Sequence, residues 1–432
     1  MNATRRGGCP RPIGLGPCLA VRDSRETRRS WGRAVGAAKR AMRSARWVVA
    51  VVAISAAAVA CTVPAPTGPG EPEPSVPAGD DAIGLNQLQY LGSHNSYKTT
   101  PSLGLLAALG LGAAAVPELA GSGLDPAQLN YGHRPLTQQL DSGIRSFELD
   151  IWADPTGGRF AAPLAAQLLG QPYPAGVGDP GFKVLHIQEI DYLSTCPTLV
   201  GCLQEMKAWS DAHPGHLPIT INLELKQDPL PSPFDVTPIQ EFDAAQLDAI
   251  DADISAVLGD RLITPDDVRG TAPDLRTAVT TSGSGGGWPT VADSRGRFLL
   301  FLDNGGTLAT RYLTGHPSLQ GRVLFTSDGF DRDDAAVLKV NDPGDGTEIA
   351  DLVQQGFLVR TRADADVVNP GVDRAAALAS GAQMVHSDFP NGEPQFGTGY
   401  TVAFPTRVQA RCNPVNTTAA TCTAAAAVEP AA

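Results

Sequence analysis

From residue 88 onward the chain is built of short apolar runs, each ending abruptly in polar residues. Eight such runs recur, at 88–94, 145–152, 182–187, 218–226, 297–303, 322–328, 357–362 and 382–389. Helix-like stretches separate several of them: LTQQLDSG beginning at Leu136, then 197–213, 242–258 and 373–380. Strands that alternate with helices read as βαβ units of a parallel sheet, and eight units predict an α/β fold of the (β/α)8 barrel kind in a single domain. An open doubly wound sheet is the alternative. No glycine-rich phosphate turn of the Rossmann or P-loop type supports it.

Within two of these runs the alternation is sharp. Because alternate residues of a strand share a face, Ser146, Glu148 and Asp150 point one way and Phe147, Leu149 and Ile151 the other. Thr220, Asn222, Glu224 and Lys226 likewise oppose Ile219, Ile221, Leu223 and Leu225. In a barrel wrapped by helices the apolar file meets the helices, so the polar file points inward or to the rim. One strand of this kind is also what a sheet with a wet face produces. The succession is more telling: His94 and Asn95, Glu148 and Asp150, His186, then Glu224 fall at the C-terminal ends of the first four predicted strands, where barrel chemistry resides.

As a set, these types make chemical sense. One amide oxygen and three carboxylates are hard ligands suited to Ca²⁺ or, less well, Mg²⁺, and without a cation three clustered carboxylates would raise one another's pKa. No thiolate is near and only two histidines are, which disfavours zinc. The histidines are free to act as general base and general acid. Lys226, on the face of Glu224, is placed either for a phosphate or for a salt bridge to a carboxylate. His133, His213, His216 and His316 stand beside Gly or Pro or at helix ends and read as surface residues, whereas His386 with Asp388 ends the eighth strand and is a candidate for the pocket. No G-x-S-x-G elbow exists, which argues against a serine hydrolase.

Composition places this constellation in an exported protein. The 432 residues are 42% hydrophobic and 18% charged, enough for a large core. The first sixty hold 12 of the 33 Lys and Arg but only 2 of the 45 Asp and Glu, leaving 21 basic and 43 acidic residues in the remainder. A body so acidic argues against nucleic acid as a partner and suits a cationic ligand. Residues 42–60 carry a basic start, an apolar stretch too short to span a bilayer, and small residues before Cys61, the layout of a signal peptide. Ala58 to Cys61 resembles a bacterial lipobox, which implies a lipid on Cys61 and a protein that is lipid-anchored at the cell surface or secreted. Residues 1–41 read as a disordered or untranslated leader, and the Pro-, Gly- and acid-rich 61–82 as an extended tether. The barrel takes 83–405. In the Ala- and Thr-rich tail, 406–432, a short disulfide loop is the only order expected. Cys196, Cys202, Cys412 and Cys422 are the disulfide candidates; three pairings exist, two of which close short local loops. Two long insertions, 99–135 and 153–181, follow strand ends and are either a lid or lipid-facing rim or plain surface excursions.

GSHNSY, SFELDIW, VLHI and ITINLELK, in this order and spacing, resemble the catalytic half of phosphatidylinositol-specific phospholipase C, in particular its calcium-dependent secreted bacterial branch. The resemblance implies a distorted TIM barrel that cleaves a phosphodiester by attack of the substrate's own hydroxyl. His94 and His186 would be the catalytic pair, and Asn95, Glu148, Asp150 and Glu224 the calcium ligands. Arg360, Arg362 and Lys226 are the candidates for substrate binding. The substrate would be phosphatidylinositol or a related inositol phosphodiester, reached from a membrane through the N-terminal lipid. A glycerophosphodiester phosphodiesterase or sphingomyelinase-D-like enzyme is the alternative on the same barrel, and a non-catalytic surface lipoprotein the alternative outside enzymology.

Overall fold

The structure, a computed structural model, describes residues 82–115, 125–170, 173–227, 237–283, 286–404 and 408–429. The leader, the signal segment, Cys61 and the tether up to residue 81 lie outside the described residues. The described residues hold nine strands: β1 (Leu88–Ser93), β2 (Ser146–Trp152), β3 (Lys183–Val184), β4 (Ile219–Leu225), β5 (Phe298–Leu302), β6 (Val337–Lys339), β7 (Leu358–Arg362), β8 (Met384–Ser387) and β9 (Ala410–Cys412). Seven of them run parallel in the order β5-β4-β2-β1-β8-β7-β6. The gap between β5 and β6 is filled by the segment around Phe325, which bridges Phe301 on one side, while Ser327 O accepts from Lys339 N at 3.1 Å on the other. The ring is thus a distorted TIM barrel.

Two of the eight predicted strands behave differently from expectation: 182–187, and 322–328, which forms only an isolated bridge at Phe325 and no strand. Residues 182–187 supply only the two-residue β3, which pairs antiparallel with β2 and is not a stave of the barrel. The third stave is β4, and the missing one is β6, three residues long behind an acidic loop and too short to stand out as an apolar run. The four helix-like stretches contain the helices Leu136–Asp141, Leu199–Ala212, Ala244–Leu258 and Arg374–Ala379. In the second, Leu199, Cys202, Leu203, Met206 and Trp209 recur at helical spacing and are buried against the sheet, and Thr198 caps the start by accepting from Gly201 N at 3.1 Å. Each such fully buried leucine contributes about 2 kcal/mol of transfer free energy. β5 reads FLLFL because it is buried on both faces.

Cys196 pairs with Cys202 and Cys412 with Cys422, the two local bridges. The tail holds more order than a disulfide loop. β9 pairs antiparallel with β1, and Glu429 forms an ion pair with Arg145 just ahead of β2. Among the insertions, helices Leu103–Ala115 and Leu164–Leu169 pack together with Tyr192 and Leu193 into a small apolar cluster of their own.

Candidate active site

The site grows from the end of β1. Gly92 faces His386 across the β1–β8 pair, and a Cβ there would collide with the His386 ring, so only glycine lets the two strands meet. Past Ser93 the chain turns sharply: Asn95 takes φ +50°, a left-handed conformation that asparagine tolerates better than most side chains. The turn is held by Ser93 Oγ donating to Ser96 Oγ at 2.7 Å, and Ser96 Oγ accepts Glu148 N at 2.8 Å, which ties it to β2. Asn95 Nδ2 donates to Tyr131 Oη at 2.6 Å, while its Oδ1 is buried with no partner.

β2 and β4 are in register with Glu148 opposite Asn222 and Asp150 opposite Glu224. That register, set by the apolar file on the other face, brings one oxygen each of Glu148, Asp150 and Glu224 within 4.8 Å of one another. Glu148 and Asp150 are buried and Glu224 is partly exposed. Burial pushes Glu148 upward, but the Arg360 guanidinium with His94 and His386 outweighs it and holds this carboxyl well below the usual range. For Asp150 burial prevails over Lys226, with Glu224 and Glu148 adding repulsion, and the carboxyl is raised well above its ordinary value. Neither Asp150 oxygen has a well-formed hydrogen bond; the Lys226 ammonium approaches at 3.3 Å, and the buried Tyr97 hydroxyl also faces this carboxyl.

The two predicted catalytic histidines are held differently. His94 Nδ1 lies 2.6 Å from Asp388 Oδ1 and its Nε2 3.4 Å from Glu148 Oε1. Burial, with Arg362 nearby, lowers its pKa against the opposing pull of Glu148 and Asp388. His186 lies beyond β3 on a loop, and its Nδ1 meets Asp191 Oδ2 at 2.8 Å. Asp191 in turn lies 3.4 Å from the buried Lys98 ammonium, which stands over the Tyr131 ring and donates to the carbonyls of Leu129 and Tyr131. Since Tyr131 carries Asn95 and stacks on His94, a continuous chain of contacts links both histidines. His186 itself is tied to Asp191 rather than to the carboxylate cluster.

Of the candidates for substrate binding, each is engaged by a carboxylate. Lys226 bridges Glu224 at 3.0 Å and Asp150 at 3.3 Å, the salt-bridge alternative. Arg360 is buried between Glu148 and Asn341. Arg362 Nη2 donates to Asp388 at 2.8 Å and its Nε to Asp364 O at 2.9 Å. His386 is buried beside Ser146 Oγ, at 2.7 Å, with Glu148 3.4 Å away, and burial drives its pKa down to about 3. Two histidines expected at the surface are inside: His133 sits between Glu393 and the His94 carbonyl, and His216 between Ser210 and the Leu217 carbonyl. Flanking glycine and proline mislead here, since both rings plug gaps where loops meet the barrel.

Sequence reasoning named Asp388 only as a companion of His386; its partner is His94, from the opposite end of the chain. The signal is its place two residues past His386 at the end of the last apolar run. Asp303 and Lys339, paired at 2.5 Å with Asn222 donating to the same carboxylate at 2.8 Å, were not singled out at all.

A hard divalent cation fits these residues. The unpartnered Asn95 Oδ1 and both Asp150 oxygens, which lack a well-formed hydrogen bond, lie at the strand ends that carry the three-carboxylate cluster, and oxygen donors are what Ca²⁺ takes. The family model for "Phosphoinositide phospholipase C, Ca2+-dependent" matches residues 83–414. Calcium-dependent phosphoinositol-specific phospholipase C from the Gram-negative bacterium Pseudomonas sp. is 18% identical over 75% of this chain and 96% of its own, with a TM-score of 0.47. The calcium-dependent phosphatidylinositol-specific phospholipase C of Streptomyces antibioticus is 20% identical over 71% of this chain and 95% of its own, with a TM-score of 0.45. Among curated proteins no match was found. With a family match over more than half its length, the chain belongs to the Ca²⁺-dependent phosphoinositide phospholipase C family, phosphodiesterases whose cofactor is Ca²⁺.

Proposed function

We propose that the protein is an exported enzyme that cleaves phosphatidylinositol, or a closely related inositol phosphodiester, by attack of the inositol's own neighbouring hydroxyl. The observation that carries this reading is the meeting of His94 with the Glu148–Asp150–Glu224 cluster at one rim, beside the unpartnered Asn95 oxygen. Asn95, Glu148, Asp150 and Glu224 would hold Ca²⁺, which when bound polarises a phosphoryl oxygen and offsets charge that develops on phosphorus.

The protein's own groups handle the protons. Of His94 and His186, one takes the proton from the attacking hydroxyl as its oxygen bonds to phosphorus. The other gives a proton to the diacylglycerol oxygen as its bond to phosphorus breaks. The products are a cyclic inositol phosphate and diacylglycerol. Asp388, by accepting from His94 Nδ1, fixes the tautomer that leaves Nε2 as the reactive nitrogen. Arg360 and Arg362 balance the buried carboxylates, and Lys226 does so at the edge, from where it also reaches a phosphate. Cys61 would carry the lipid that keeps the enzyme at the cell surface, and the two disulfides suit an oxidising compartment.

Incubation with labelled phosphatidylinositol, with and without calcium, tests the reading. Cyclic inositol phosphate forms only with calcium, and restoration after chelation is better with calcium than with magnesium. His94→Ala and His186→Ala each lower the rate by roughly 10²- to 10⁴-fold in a folded protein. Full activity in either variant, or a glycerophosphate product, overturns it.

A further inference from the structure

A lysine with no exposed surface stands behind the proposed catalytic pair. Lys98 is 0% exposed, and taking an ammonium out of water is costly unless its protons are answered. An ammonium has three to give. Two go to the carbonyls of Tyr131 at 2.7 Å and Leu129 at 2.8 Å, and the third faces Asp191 Oδ2 at 3.4 Å. Burial lowers the pKa of this lysine, against the opposing pull of Asp191 and, less strongly, of Asp388.

The backbone brings this meeting about. Lys98 N donates to Asn95 O at 2.9 Å and closes the turn after β1. The residues around it then run antiparallel to the segment after Asp191: Lys98 bridges Ser194, Thr195 N donates to Tyr97 O at 2.8 Å, and Thr99 N to Leu193 O at 3.4 Å. Ile187 and Asp191 exchange main-chain bonds of 3.1 and 2.9 Å, which closes a tight loop directly after His186. Just past Thr195, the Cys196–Cys202 bridge fastens the same segment to the helix Leu199–Ala212. The turn that carries His94 and the loop that carries His186 are therefore stitched together, with Lys98 at the seam.

One carboxylate oxygen serves two cationic partners there. Asp191 Oδ2 lies 2.8 Å from His186 Nδ1 and 3.4 Å from Lys98 Nζ. A carboxylate beside an imidazole decides which ring nitrogen carries the proton and how the ring is turned. An aspartate and a histidine alone in a buried site also draw in a second proton, because nothing else balances the carboxylate; a fixed cation alongside opposes that. The groups that face Asp191 among the described residues are His186, Lys98, Tyr97 and Tyr131, and of these Lys98 brings positive charge whatever the state of the imidazole.

We propose that Lys98 is a positioning residue for the phosphodiester reaction: through Asp191 it fixes the tautomer and orientation of the His186 ring without touching substrate itself. This rests on the reading of His186 as one of the proton-transfer pair. It adds a buried charge, supplied by the turn after β1, on which the second histidine depends.

A double-mutant cycle on the full chain tests it. Lys98→Met keeps the stem and removes the charge; it lowers kcat on phosphatidylinositol about 10- to 10²-fold with KM within about threefold of wild type. Its pH–rate profile moves up by about one unit or more, because without the cation Asp191 and His186 together hold their proton to higher pH. NMR of the histidine rings, read without substrate or calcium, shows His186 doubly protonated to a correspondingly higher pH. Asp191→Asn lowers kcat at least as far, and adding Lys98→Met to it costs no more than about a further threefold. An undiminished effect of Lys98→Met in the Asp191→Asn background overturns the proposal, as do an unmoved profile and unmoved ring signals in Lys98→Met alone. Should Lys98→Met alone not fold, Asp191→Asn compared with the double variant, from which both buried charges are gone, decides in the same way. Ring signals that move while hydrolysis stays at the wild-type rate overturn the part of His186 in the proposed function, and with it that of Lys98, and leave only the coupling of the two groups standing.

Discussion

The two halves of the barrel mouth differ in how their charges are satisfied. At the ends of β1, β2 and β4 three carboxylates crowd one another with a single edge lysine, Lys226, answering both Asp150 and Glu224, and the buried Asn95 Oδ1 has no hydrogen-bond partner. Across the ring, on β5 to β8, charge is matched within the protein: Asp303 with Lys339, Arg360 with Glu148, Arg362 with Asp388. Burial without a partner is costly, so the first half is held ready for something the chain does not itself supply, while the second is a finished frame. Glu148 belongs to both, facing the cluster and answering Arg360.

That double membership gives the largest predicted effect. Glu148→Ala strands the buried Arg360 guanidinium beside Asn341 and costs about 3–5 kcal/mol of stability, visible as a lower urea midpoint even without calcium. Asp150→Asn, two residues along the same strand, removes a carboxylate already raised by burial and crowding. Its calcium-free stability stays within about 1 kcal/mol of wild type while calcium binding by calorimetry is lost. Equal destabilisation by both would erase the distinction between the halves.

The comparison needs a pH range in which the fold is sound, and a group far from the rim limits it. His216, packed by Trp209 and Phe298, is pushed down by burial to about 4 from its ordinary 6.5. A histidine lowered in the folded state is bound by fewer protons there than in the unfolded chain, so its contribution is complete above pH 6.5 and drains as pH falls toward 4. Between pH 7 and pH 5 this amounts to about 2 kcal/mol, and His216→Gln should flatten that part of the stability profile in denaturant titrations.

The smallest effect concerns the proposed neutral ligand. Asn95→Ala removes one oxygen from the ready half and places a Cβ-only residue at φ +50°, where asparagine is better tolerated. The calcium concentration for half-maximal activity should rise about tenfold, equivalent to about 1.4 kcal/mol, with kcat at saturating calcium largely retained. An unchanged calcium requirement would remove Asn95 from the ligand set.

How much of this the sequence discloses follows from the same contrast. Alternation in SFELDIW and ITINLEL makes the first half legible, because a period of two fixes which side chains share a face and the register of β2 with β4 preserves it. The second half depends on ring closure. Arg362 meets Asp388 because β7 pairs with β8, and Asp388 meets His94 only because β8 comes round to β1. No local pattern encodes a neighbour some 300 residues away. β6, at three residues, is too short to give an apolar run, and the run at 182–187 does not say in which direction it pairs.

That last point bears on how this enzyme could be altered. A residue on a stave is locked by backbone bonds to two neighbours, so it moves only if the barrel moves. His186 is carried instead by a loop beyond β3 and aimed by Asp191, itself held by the Lys98 ammonium. If His94 and His186 are the proposed proton-transfer pair, lengthening or shortening that loop re-aims one member while the other stays at the end of β1, which makes their separation an adjustable dimension for redesign toward bulkier leaving groups.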